Sequence, residues 1–105
     1  MLEGVAGLML PKAEALEDLT ALDDGISKAE AKASLAPGAV TVSAQIETPL
    51  GVLSAQAISG GPRLAALAWG GEDYAASLGV EAGPAALRGP AAHVALAARA
   101  AGLEA

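Results

Sequence analysis

The sequence predicts an α/β chain in which parallel strands alternate with helices. Three times, a short apolar stretch leads through a loop into an alanine-rich stretch with helical character. Strand–helix alternation of this kind implies parallel pairing with a crossover in each unit. A length of 105 residues allows one domain at most, and a hydrophobic fraction of 53% makes it a folded one. Much of that fraction is alanine, so the expected core is thin and rests on Leu, Val and Ile, with no Phe in the chain.

The first unit opens with an apolar strand, Val5 to Leu10, closed by Pro11 and Lys12. Leu16, Leu19 and Leu22 then recur every third residue, as one face of a helix requires. Asp23, Asp24 and Gly25 are expected to interrupt that helix. Ser27 and Glu30 have the spacing of a capping box for a second piece, which ends near Pro37 and Gly38. The second unit has Val40 to Ile46 as its strand, reaching Glu47. Thr48 and Pro49 are a good N-cap and first helical residue for a helix running to about Ile58. Gly60, Gly61 and Pro62 break it. Leu64 to Trp69 forms the third strand, Gly70 to Gly83 reads as a long loop with room for one helical turn, and Pro84 opens a last helix to about Ala101. The spacing is that of (β/α) barrel units. A closed eight-stranded barrel takes about 250 residues, so about three consecutive βα units make a partial (β/α) TIM-type barrel.

A net charge of −6 with six scattered Lys and Arg argues against non-specific nucleic-acid binding. The absence of cysteine removes disulfides, thiolate metal sites and thiol nucleophiles, and fits a cytoplasmic protein. The N-terminal apolar run stops at Pro11, short of the roughly 20 residues that cross a bilayer, so no membrane association is expected. Exposed strand edges would favour association between chains, and a homo-oligomer is expected.

In parallel α/β architectures, reactive groups gather where strands end and loops begin. Those positions hold Lys12, Glu47 and the pair Glu72 and Asp73. A cation and carboxylates at successive strand ends suit an Mg²⁺ site for an anionic substrate, because Mg²⁺ takes one or two carboxylates and leaves other positions to water and substrate. On spacing alone the plainer reading is favoured, in which Glu47 caps a helix N-terminus and Lys12 is solvated. Trp69 and Tyr74, the only aromatics, flank the acidic pair as an apolar wall or as packing. Gly70 and Gly71 permit either a close approach to a ligand or a tight turn. His93 lacks a second His, and Ser43 and Ser54 lack a nearby base.

The segments GLMLPKAE, AQIETPLGVLSAQAI and PRLAALAWGGEDYAASLGVE, with the closing VALAARAAGL, resemble the middle of the citrate lyase beta-subunit family within the HpcH/HpaI aldolase superfamily. The resemblance runs in order over residues 1–105, and its IET and GGEDYAASLG segments are the specific ones. The ALAWGGEDYAASLG form is closest to the acyl-CoA lyase branch. It implies Mg²⁺-dependent cleavage of a 3-hydroxy acyl-CoA thioester of the citryl-, malyl- or citramalyl-CoA type. Acetyl-CoA and an oxo acid, or pyruvate in the last case, would be released. By the same resemblance Glu47 and Asp73 hold the metal, and Lys12 matches the PK lysine at the edge of the site. The family pattern also includes an arginine on an earlier strand and further strands beyond the last helix, outside these residues. Arg88 to His93 departs from the family's more basic run, which bears on thioester binding. The alternative expectation is a catalytically inactive half-barrel that works only by association with another chain.

Overall fold

The computed structural model describes residues 7–79 and 83–105. Its order is β1 (Gly7–Leu10), α1 (Leu16–Lys32), β2 (Thr41–Ile46), α2 (Pro49–Leu53), α3 (Ala55–Ile58), β3 (Leu64–Trp69), α4 (Gly71–Leu78) and α5 (Pro84–Ala100). The three strands form one open parallel sheet in the order β1–β2–β3. This is the predicted arc of βα units. Residues 5 and 6 of the first predicted strand lie outside the described residues.

Period-two alternation decides which face of the sheet is buried. In β2, Val42, Ala44 and Ile46 are buried, whereas Thr41 is exposed and Ser43 and Gln45 are half-buried. Leu67 of β3, in register with Ala44, joins the buried face. Leu19 and Ile26 of α1, Val52 of α2, Ala55 and Ile58 of α3, Tyr74 of α4, and Val94, Ala97 and Ala98 of α5 complete that core. Alanines at the helix–sheet contacts let the layers approach closely. The largest fully buried side chains are Leu, Ile and Val, as the composition implied. At β3 the pairing slips by one residue between Val42 and Ser43, leaving Ala65 as the extra residue. After α5, Gly102 turns the chain with φ 76 and Glu104 returns beside β3. There Leu67 N–H donates to Glu104 O (2.9 Å) and Glu104 N–H donates to Ala65 O (3.2 Å).

Three elements differ from the sequence reading. Helix α1 runs unbroken through Asp23, Asp24 and Gly25. Glycine costs about 1 kcal/mol in a helix, but the stripe of Leu19, Leu22, Ile26 and Glu30 faces inward and holds the helix together, while Lys28 pairs with Asp24 at 3.1 Å on the outside. Ser27 and Glu30 therefore do not cap a helix; both serve Arg63. The predicted helix after Thr48 is interrupted at Ser54, between α2 and α3. Finally, Gly71–Leu78 of the expected loop is the helix α4, because Tyr74 and Leu78 supply an apolar face four residues apart. Residues 80–82 of that expected loop lie outside the described residues.

Candidate metal centre

Because the strands are parallel, the loops after β1, β2 and β3 leave the same edge of the sheet. Glu47 follows the last residue of β2 directly and is only 3% exposed. A buried carboxylate needs hydrogen-bond donors. Lys12 N–H supplies one, at 2.9 Å from Glu47 Oε1. Lys12 has φ 50, an uncommon conformation for a non-glycine residue. The sharp turn there also sends Ala13 N–H to Gln45 O at 3.0 Å. No buried side-chain oxygen among the described residues lacks a partner, and Lys12 N–H is the one donor to this carboxylate. Glu47 Oε2 has no hydrogen-bond donor among the described residues.

Gly70, at the end of β3, makes room for that carboxylate. A Cβ there would lie 2.8 Å from Glu47 Cβ, closer than such atoms pack, and a tight 3.1 Å from Oε2. Gly70 N–H donates to Ile46 O at 2.9 Å, which ties the residue after β3 to the end of β2. Asp73 stands in the first turn of α4, exposed, beside the exposed Glu72. Ile46 and Trp69 are paired in register, so Glu47 and Asp73 follow that pair by one and four residues at the same edge. The side chain of Lys12 is exposed at this edge too, and only its backbone touches Glu47. No group of three or more His, Cys, Asp and Glu side chains converges among the described residues. The hard carboxylate of Glu47, with one oxygen fixed by Lys12 N–H and the other without a donor, nevertheless fits a divalent cation that keeps most of its ligands as water.

The aromatics are packing. Tyr74 is buried, and its ring lies 5.0 Å from that of Trp69 at 46°. Trp69 shares the face of Ile46, away from Gln45 and Glu47. His93 is exposed on α5, in a groove of about 320 Å³ shared with Gln56 and Leu96.

The opposite edge of the sheet holds a cluster that the sequence did not reveal. Arg63 precedes β3 with φ 64, and its guanidinium uses all five N–H donors. It binds Asp23 (2.5 Å), both oxygens of Glu30 (2.7 and 2.8 Å), Ser27 Oγ (2.9 Å) and Val40 O (3.0 Å). Glu30 also accepts the Val40 and Gly38 N–H groups at 2.9 and 3.3 Å. The Arg63 hydrogen bonds, helped by these amides, hold the Glu30 carboxyl down at about 2, and the two acids raise the Arg63 pKa. In parallel barrels, this edge serves stability and the other serves chemistry. Also absent from the sequence reading is the contact of Glu14 with Thr48, whose hydroxyl donates to Glu14 Oε2 at 2.8 Å. Nothing in a one-dimensional pattern couples residues 34 apart.

Comparison with known proteins agrees with this architecture. The family model for HpcH/HpaI aldolase/citrate lyase matches residues 1–105. Citrate lyase subunit beta of Haemophilus influenzae is 34% identical over 97% of the chain and 36% of that protein. The solved citrate lyase beta subunit of M. tuberculosis, complexed with oxaloacetate and magnesium, superposes with a TM-score of 0.73 at 28% identity. That match covers 97% of this chain and 43% of the other. RipC from Yersinia pestis gives a TM-score of 0.79 at 26% identity, over 93% and 42% of the two chains. The chain thus spans roughly two fifths of the length of these relatives. Sequence and structure both cover nearly all of its residues, and the chain belongs to the HpcH/HpaI aldolase/citrate lyase family.

Proposed function

We propose that these residues carry the metal-binding part of an Mg²⁺-dependent carbon–carbon lyase domain, with Glu47 and Asp73 as the protein ligands. The observation that carries the proposal is Glu47 itself: a carboxylate only 3% exposed, with one oxygen held by Lys12 N–H and no donor to the other among the described residues. A carboxylate withdrawn from water with a single backbone donor is short of positive charge, and a divalent cation supplies it. The oxaloacetate and magnesium of the M. tuberculosis relative support the same ligand class here. Bound Mg²⁺ supplies Lewis-acid polarisation of an oxo-acid carbonyl. Glu47 would hold the ion at the end of β2, and Asp73, in the first turn of α4, would supply the second carboxylate. The exposed Lys12 ammonium at the same edge would attract the substrate carboxylates.

The substrate class is a 3-hydroxy acyl-CoA thioester of the citryl-, malyl- or citramalyl-CoA type, cleaved in a cytoplasmic, homo-oligomeric protein. A second reading, a half-barrel that works only in association with another chain, is favoured by the edge strand β1, where Leu8 is 42% and Met9 55% exposed. One assay separates them. The purified chain is incubated with each thioester and excess Mg²⁺, and acetyl-CoA or pyruvate release is followed. Magnesium-dependent release that Glu47→Ala abolishes supports the lyase; no release from a folded chain supports the associating half-barrel.

A further inference from the structure

We propose that Glu14 and Thr48 are a positioning pair for Glu47, setting the direction of its carboxylate without binding the metal themselves. This rests on the reading of Glu47 as a metal ligand. Thr48 follows Glu47 directly and is 9% exposed. Its hydroxyl is used twice: it accepts Gly51 N–H at 3.0 Å and donates its one proton to Glu14 Oε2 at 2.8 Å. Capping α2 requires only the first of these bonds. The second spends a half-buried carboxylate on a hydroxyl that could otherwise donate to water.

Its effect is to tie the loop after β1 to the loop after β2. Three consecutive residues of the first loop contact the end of β2 and the residues just after it: Lys12 N–H binds Glu47 Oε1, Ala13 N–H binds Gln45 O in β2, and Glu14 Oε2 accepts from Thr48 Oγ1. Glu14 is anchored in turn, because its own N–H donates to Asp18 Oδ2 in the first turn of α1 at 2.9 Å. The loops also lie flush. A Cβ on Gly51 would come within 2.6 Å of Ala13 O. Removing the Glu14–Thr48 bond leaves the Thr48 hydroxyl held by Gly51 N–H alone and loosens, through the adjoining peptide, the backbone that carries Glu47. Such outer partners of metal-binding side chains typically contribute about 10- to 100-fold in affinity.

The test is calorimetric titration of the purified chain with Mg²⁺ alone, beside thermal unfolding followed by circular dichroism. Thr48→Val removes the hydroxyl and keeps the shape, whereas Thr48→Ser keeps the hydroxyl. Glu14→Ala removes the acceptor, whereas Glu14→Gln keeps an acceptor oxygen and loses the charge. The expected result is an Mg²⁺ affinity about tenfold weaker in Thr48→Val and Glu14→Ala, and wild-type affinity in Thr48→Ser and Glu14→Gln. If Thr48→Val melts too low to titrate, the two Glu14 variants decide, since that residue sits in a loop. Lower melting temperatures with unchanged affinity would overturn the inference and leave a purely structural bond. Glu14→Gln losing as much affinity as Glu47→Ala would overturn it also, making Glu14 a ligand. If Glu47→Ala itself binds Mg²⁺ like the wild type, the metal reading falls and the inference falls with it.

Discussion

The backbone N–H of Lys12 lies 2.9 Å from Oε1 of Glu47 and so joins the ends of β1 and β2 across 35 residues of sequence. The lysine contributes its amide, not its ammonium, to this contact, and it does so from a left-handed backbone conformation. The side chain is then free for another task at the same sheet edge.

Lys12→Gly separates the two contributions. Glycine accepts φ 50 without strain and retains the N–H, while the unfolded chain gains freedom. These opposing effects leave stability within about 1 kcal/mol of the wild type. Mg²⁺ affinity should be unchanged in a calorimetric titration. Oxaloacetate binding in saturating Mg²⁺ should weaken about tenfold, the usual size of a lost hydrogen bond to a charged group.

Gly70→Ala tests the space beside Glu47. The added methyl would meet Glu47 Cβ at 2.8 Å and Oε2 at 3.1 Å, and Cβ cannot swing aside as a side-chain tip can. Overpacking of this kind costs about 1–3 kcal/mol, so a lower melting temperature is expected. Because the displaced group is the carboxylate, Mg²⁺ affinity should fall as well, by about tenfold or more. Gly79→Ala is the comparison: it meets no neighbour, strains only its own backbone at φ 76, and should lower the melting temperature without touching Mg²⁺ affinity.

The parts of the fold legible in the sequence are those in which local pattern and tertiary packing agree. Val42, Ala44 and Ile46 mark a strand by composition and alternation, and Thr48 with Pro49 starts a helix wherever the chain is placed. Asp23-Asp24-Gly25 misleads because local breakers are outweighed by the buried face of Leu19 and Ile26. Gly70 and Gly71 conceal α4 for a related reason. The first glycine is there to clear Glu47, not to break a helix. The strand-end positions of Lys12 and Glu47, and of Asp73 just past β3, were legible in the sequence, whereas the ligand role proposed for the two carboxylates came from the resemblance of the IET and GGEDYAASLG segments. Glu14–Thr48 and Arg63–Glu30 were not, since each joins groups more than 30 residues apart.

Arg63 and Glu30 predict a pH dependence with a definite sign. Glu30 has a folded-state pKa of about 2, below the ordinary 4.5. A carboxyl whose pKa is depressed by folding contributes stability that is complete above its unfolded pKa and disappears as pH falls through the folded value. Melting temperature should therefore decline between about pH 4.5 and 2 in the wild type. In Glu30→Gln it should be lower at pH 7 and flatter across that window. The measurement is a series of thermal melts from pH 7 to 2; parallel curves for the two proteins would contradict the assignment.

The central claim is that Glu47 and Asp73, one buried at the end of β2 and one exposed on the first turn of α4, hold a single divalent cation between them. The most direct measurement is a calorimetric Mg²⁺ titration of the folded chain beside its Glu47→Ala and Asp73→Asn variants, with folding checked by circular dichroism. The account predicts one saturable site in the wild type, no detectable binding in Glu47→Ala, and an affinity at least about tenfold weaker in Asp73→Asn. Folded variants that bind Mg²⁺ as the wild type does, or a folded wild type that binds none, would contradict it.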